Sequence, residues 1–209
     1  RTIRANLKYY QPEYKTIVPE RRIGFGRRQS MLREVILCVD QSGSMGTSVV
    51  YSGLFGAVMA SMRALRTQMI VFDTAVVDLS AQLNDPVDLL FGTQLGGGTD
   101  IARALAYCQT RISRPADTIM ILISDLYEGG DRKLMMERAQ ALVASGVQLI
   151  VLLALSDQGT PSYDATNAKA LINLGAPTFA CTPDLFPELM AAAINRADLM
   201  QWAVTHLAE

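Results

Sequence analysis

Histidine occurs once in this chain of 209 residues, at His206, and tryptophan once, at Trp202. A lone histidine outside any visible motif removes the general base that a serine hydrolase needs, and neither a Cys/His pairing nor G-x-S-x-G is present. Cysteine is scarce too: Cys38, Cys108 and Cys181 are widely spaced, each in an apolar stretch. They read as reduced core thiols, with neither a disulfide framework nor zinc spacing, and a cytoplasmic location is expected. The longest apolar run, 149–155, is too short to cross a bilayer, and no charged-then-apolar leader opens the chain. G-x-x-x-x-G-K-[ST] is missing, which excludes a P-loop ATPase. What remains is globular in composition, half apolar and 19% charged. That suits one large domain, or one domain with an arm. The chain opens on Arg1 instead of Met, so a piece of a longer protein is expected.

Charge is unevenly spread. Residues 1–34 hold nine Lys or Arg (Arg1, Arg4, Lys8, Lys15, Arg21, Arg22, Arg27, Arg28, Arg33) against Glu13, Glu20 and Glu34, a net +6 within a total of −1. Tyr9, Tyr10, Tyr14 and Phe25 are interleaved with these cations, and no sustained periodicity runs through them. This basic arm, 1–34, either binds nucleic acid or packs on an acidic surface of its own protein.

From residue 35 to about 205 apolar strands alternate with amphipathic segments. Strands are predicted at 35–39, 69–72, 76–79, 119–123, 147–155 and 177–180, the second and third joined as a hairpin through Asp73-Thr74. Helical spacing appears in 50–66 through Leu54, Val58, Met62 and Leu65, and again after Gly98 through Ile101, Ala104, Leu105, Cys108 and Ile112. Asp85-Pro86 opens a short helix. Further helices are predicted around Met135 to Val143, over 164–174, and from Pro183 onward, where Phe186, Leu189, Met190, Ala193, Ala197 and Met200 form one stripe. The pattern predicts an α/β fold: a doubly wound, mostly parallel sheet covered on both faces, with one antiparallel edge strand. Ligands bind such sheets at the carboxyl ends of the strands.

Those ends carry oxygen. Asp40, Ser42 and Ser44 stand at alternate positions of the loop after the first strand, separated by small residues that let the backbone turn. Thr99 and Asp100 follow Gly96-Gly97-Gly98, and Asp125 follows the 119–123 strand. Hard oxygen donors without imidazole or thiolate suit Mg²⁺, with Mn²⁺ or Ca²⁺ as alternatives. Asp and Ser are also ordinary cap and turn residues, which is the competing reading of each loop taken alone.

D-x-S-x-S, a Thr in a later Gly-rich loop and an Asp after a central strand together resemble the von Willebrand factor A (VWA) domain and its metal-ion-dependent adhesion site. The resemblance implies a metal held by Asp40, Ser42, Ser44, Thr99 and Asp125, and a partner protein whose Glu or Asp completes its coordination. It also implies that Asp100 caps the following helix. Asp100 and Glu128 remain candidates for the rim, and Asp131 for the cap of the next helix. VDQSGSM, VFDTAVVDLS, LGGGTDI and ISDLYEGG, with the basic stretch NLKYYQPEYKTIVPE, are similar to bacterial CoxE-like proteins that accompany MoxR-type AAA+ ATPases. That likeness implies a non-enzymatic adaptor role beside such an ATPase.

Three further readings belong with this one. A Mg²⁺-dependent hydrolase of the haloacid dehalogenase type wants a second Asp where this chain has Ser42. Asp73 and Asp78 are expected to be solvated turn and edge charges. Trp202 is expected to anchor the last helix by packing.

Overall fold

The computed structural model describes residues 9–17, 33–47, 65–82, 96–154, 162–182 and 184–207. The helices expected at Asp85-Pro86 and over most of 50–66 lie outside these residues. The chain divides into two compact units, Arg1–Leu32 and Arg33–Glu209. In the first, β1 (Tyr10–Gln11) and β2 (Thr16–Ile17) pair antiparallel across a single 3-10 turn, Pro12–Tyr14. Tyr10 and Tyr14 are exposed on it.

The second unit is built on six strands in the order β5-β4-β3-β6-β7-β8. These are β3 (Arg33–Asp40), β4 (Leu65–Phe72), β5 (Val76–Asp78), β6 (Thr118–Ser124), β7 (Gln148–Leu153) and β8 (Thr178–Ala180). All neighbours run parallel except β5, which returns antiparallel along β4 with Phe72 opposite Val76. The expected edge hairpin is therefore present. Leu65 and Arg66 are a correction: they do not close a helix but open β4, in register with Arg33 and Glu34. Their helical spacing loses to the backbone hydrogen bonds that extend β4 along β3.

Side chains alternate across the central strands, so each strand feeds two cores. Ile36, Cys38, Ile70, Phe72, Met120, Leu122 and Val151 face α1 (Ile101–Arg111), α2 (Arg132–Ala144) and α3 (Ala165–Asn173). Val35, Leu37, Val39, Val71, Ile121 and Leu152 face α4 (Phe186–Ile194) and α5 (Leu199–His206). Burial on both faces is why these strands read as unbroken apolar runs. Cys38, Cys108 and Cys181 are buried free thiols, as expected.

The final helix is in fact two. Arg196 takes a left-handed φ of 55°, and Asp198 caps a new helix by accepting the N–H groups of Met200 and Gln201. The stripe therefore ends at Ala193: Ala197 and Met200 are exposed, and Leu199 and Ala203 take over the burial. Trp202 packs on this core with its ring centroid 6.1 Å from that of Phe179. The His206 ring stacks on Trp202 at 4.8 Å.

Candidate metal centre

β3 and β6 are parallel neighbours at the centre of the sheet, and strand order reverses between them. The chain proceeds from β3 outward to β4 and β5, then returns to β6 and continues the other way. Val39 lies opposite Ile123, so Asp40 and Ser124 end the two strands side by side. The Ser124 hydroxyl donates to Asp40 Oδ2 at 2.6 Å and accepts the Leu126 N–H at 2.9 Å. Ser124, fully buried, is a site residue that the sequence reading passed over; its signal was a hydroxyl closing an otherwise aliphatic strand.

The loop after Asp40 folds back on its own carboxylate. Ser42 N–H donates to Asp40 Oδ1 at 2.9 Å, and the Ser42 and Ser44 hydroxyls are 3.2 Å apart. Met45, one residue on, is buried in the core and anchors the loop from below. Alternate spacing thus does bring the two serines together. The glycine-rich loop lies against this segment: Gly43 N–H donates to Gly97 carbonyl at 3.0 Å and Gly96 N–H to Gln41 carbonyl at 3.2 Å. From the far side, Gly129 N–H donates to the Thr99 carbonyl at 3.0 Å. Three loops distant in sequence are therefore tied into one rim, carrying Asp40, Ser42, Ser44, Thr99 and Asp125.

The remaining candidates hold backbone. Asp100 caps α1 by accepting Arg103 N–H at 2.8 Å, and Asp131 caps α2. Glu128 accepts Ile101 N–H at 2.8 Å and Gly130 N–H at 3.0 Å, and so braces the start of α1. Burial raises its pKa, against those two N–H bonds, and Asp100 nearby adds to the rise.

Two expectations are corrected. Asp73 is buried: its carboxylate accepts Ala75 N–H at 2.6 Å and Gly97 N–H at 3.1 Å, and its carbonyl accepts Asp100 N–H at 2.9 Å. A turn acid two residues before Ala75 makes a local bond; the glycine loop, which arrives from beyond position 95, supplies the second. Asp78 accepts Ser80 N–H at 2.9 Å and Tyr107 hydroxyl at 3.1 Å, and pairs with Arg111 at 3.3 Å. It ties β5 to α1.

Asp125 is held by the turn that follows. Leu126 has a left-handed φ of 62° with its side chain in the core. Tyr127 N–H then reaches Asp125 Oδ1 at 3.1 Å. The buried Asn167 of α3 donates to the Leu126 carbonyl at 3.0 Å and accepts Arg132 Nε at 2.6 Å. A β-carbon on a non-glycine residue makes the left-handed conformation costly, and this network of contacts compensates for it.

Four of the five oxygen-bearing side chains are buried, and only Ser44 is exposed. Desolvation pushes the Asp40 carboxyl up to about 6, a rise that bonds from Ser124 and Ser42 oppose and the charge of Asp125 reinforces. Two carboxylates thus share a dehydrated pocket without a cationic side chain paired to either among the described residues. Nor do three of His, Cys, Asp and Glu gather there among those residues. Any ion would draw its other protein donors from hydroxyls. That donor set fits a hard cation of the Mg²⁺ type.

Gly129 has no room for a side chain. A Cβ there would lie 2.9 Å from the Thr99 carbonyl oxygen, which is backbone and part of the tie between the loops. Gly129→Ala is expected to cost about 1–3 kcal/mol through overpacking, several degrees in Tm by differential scanning calorimetry. At Gly43 an added Cβ would make ordinary contacts at 3.6 Å, so Gly43→Ala should melt close to wild type.

This fold is shared with solved structures. An aerotolerance-related membrane protein of Bacteroides fragilis aligns at TM-score 0.62 with 16% identity, covering 78% of this chain and 99% of that one. A von Willebrand factor type A protein of Catenulispora acidiphila aligns at 0.59 with 15% identity, covering 78% of this chain and 42% of the other. The likeness is one of fold: a mostly parallel α/β sheet flanked by helices. In sequence the chain matches the VWA domain containing CoxE-like proteins over residues 1–190, and it belongs to that family. An uncharacterized Escherichia coli (strain K12) protein, YehP, is 43% identical over 184 residues, 87% of this chain and 49% of YehP. The chain thus spans about half the length of that relative.

Proposed function

We propose that this domain binds a partner protein through a divalent cation held by Asp40, Ser42, Ser44, Thr99 and Asp125. The observation that carries this reading is the dehydrated Asp40–Asp125 pair beside two serine hydroxyls 3.2 Å apart, where Asp40 is pushed up to about 6. Mg²⁺ would supply an electrophilic centre able to accept a carboxylate from outside. Asp40 and Asp125 would provide its charge balance, and Ser42, Ser44 and Thr99 neutral donors that leave it electron-poor. The exposed Ser44 and Gly96–Gly98 would leave the approach open to a Glu or Asp of the partner.

The one histidine, His206, stacks on Trp202 and is not part of this arrangement, and we assign binding and not catalysis. We further propose an adaptor role next to a MoxR-type AAA+ ATPase inside the cell, which is what the likeness to CoxE-like proteins implies.

The test is capture from native cell extract on the immobilised chain, with Mg²⁺ and again with EDTA. Partners are expected to be retained with Mg²⁺ and lost both in EDTA and with Ser42→Ala/Ser44→Ala. A set of proteins unchanged by EDTA would overturn metal bridging. Captured nucleic acid that survives EDTA would instead favour the basic arm, where Tyr10 and Tyr14 stand exposed beside Lys15.

A further inference from the structure

At the opposite end of the strands lies a cleft of about 200 Å³ that the metal centre does not use. Its walls are the first residues of β3, β6 and β7 (Arg33, Thr118, Gln148) and the turns carrying Ala116, Gly146 and Arg196. Along β3, Arg33 and Asp40 are seven residues apart, about 23 Å at the rise of an extended strand.

Two guanidinium groups line this cleft, and neither is paired with a carboxylate among the described residues. Backbone fixes each one. Arg33 Nη1 donates to the Ala193 carbonyl at the end of α4 at 3.3 Å, and Arg196 Nη2 donates to the Ala116 carbonyl. Each group keeps further N–H donors after that one bond. The two cations are close enough to repel: burial lowers the pKa of Arg33, and Arg196 lowers it further. The acids of this end are engaged elsewhere. Glu34 is held by the Ser113 hydroxyl and by Arg66 and Arg114 at 3.8 Å, and Asp117, which also acts on Arg33, pairs with Arg114 at 3.7 Å. Asp117 offsets part of the charge on Arg33, and among the described residues the cleft keeps net positive charge on pre-set donors.

We propose that Arg33 and Arg196 form a binding site for a phosphate-type oxyanion. Phosphate suits the pair better than a carboxylate does. A carboxylate offers two oxygens along one edge, which matches one fork, whereas a tetrahedral oxyanion presents oxygens to two forks approaching from different walls. The volume holds a phosphate with a small substituent. The Gln148 amide, which also lines the cleft, has N–H groups to complete its hydrogen bonding, whereas the Thr118 hydroxyl already donates to the Arg114 carbonyl at 2.8 Å.

The experiment is a thermal melt and calorimetric titration of the full chain in EDTA, so that no metal mediates the binding. Inorganic phosphate and phosphoserine are compared with chloride of equal ionic strength. A rise in Tm above chloride is expected, and whichever arm binds more tightly identifies the free ion or the monoester as the physiological form. Arg33→Gln and Arg196→Gln should each weaken binding by about tenfold or more, the worth of a charge-assisted hydrogen bond. Should either variant fail to fold, Arg33→Lys and Arg196→Lys keep the charge without the fork and should weaken binding by a smaller factor. No rise over chloride would overturn the site, as would a rise that the variants retain in full.

Discussion

Asp40→Asn is expected to melt at or above wild type in EDTA and to lose the rise in Tm that Mg²⁺ gives the wild type. The asparagine keeps an acceptor for Ser42 N–H, and its amide faces a Ser124 hydroxyl able to accept, so the loop keeps its bonds. What disappears is a desolvated negative charge next to Asp125. For an acid raised from 3.8 to about 6 on folding, the folded state binds the proton more tightly. Metal-free wild type should therefore lose stability as pH rises through that window, by about 3 kcal/mol from this group, while Asp40→Asn should not.

Metal reverses the balance. The unfolded chain separates Asp40 from Asp125 by more than eighty positions, so the ion binds only the folded form. At a hundredfold excess over Kd that linkage is worth about 2.7 kcal/mol, or roughly 5–10 °C for a chain of this length. Acidification should weaken the metal by about tenfold per pH unit below about 6, as the proton competes for Asp40. Melts of both proteins at pH 5 and 7.5, with Mg²⁺ and with EDTA, read all of this. An Asp40→Asn protein melting well below wild type in EDTA would make Asp40 chiefly a structural cap, and the metal reading would lose its main support.

Asp73→Ala is expected to have the second largest effect. It strips the bond from Gly97 N–H and the turn bond from Ala75 N–H, both accepted by one buried carboxylate. Hydrogen bonds to charged groups are worth about 1.5–3 kcal/mol, and water relieves part of the loss here. We expect about 2–4 kcal/mol, or roughly 5–15 °C in Tm. Mg²⁺ affinity should fall as well, because the released loop carries Thr99. Asp73→Asn keeps one acceptor oxygen and should fall between. Calorimetric melts and Mg²⁺ titration of both variants check it; melting like wild type would return Asp73 to the role of a solvated turn charge.

Much of this protein follows from local chemistry that a linear sequence displays. The strands were legible because burial on both faces demands unbroken apolar runs such as 35–39 and 119–123. The caps at Asp100 and Asp131 were legible too, because an acid at a helix start bonds N–H groups only two or three residues away. The oxygen set itself was visible, since D-Q-S-G-S, G-G-G-T-D and I-L-I-S-D each print their donors in short order.

Errors arose where a residue's partner lies far along the chain. Helical spacing in 50–66 took in Leu65, yet that residue pairs with Arg33 across the sheet. The stripe in the last helix was carried through Ala197, although Asp198 offered an alternative cap and the chain broke there. Asp73, Ser124 and Asn167 gave little local signal, because what fixes them is a glycine loop, a neighbouring strand and a strained turn. Sequence alone determined the central strands, the helix caps and which oxygens are available, since propensity, capping and burial pattern act within a few residues. The tertiary structure alone decided that Asp40 and Asp125 share one dehydrated pocket at the strand-order reversal. It also decided that Arg33 and Arg196 meet at the other end, because such meetings depend on strand order and register, which no short stretch of sequence encodes.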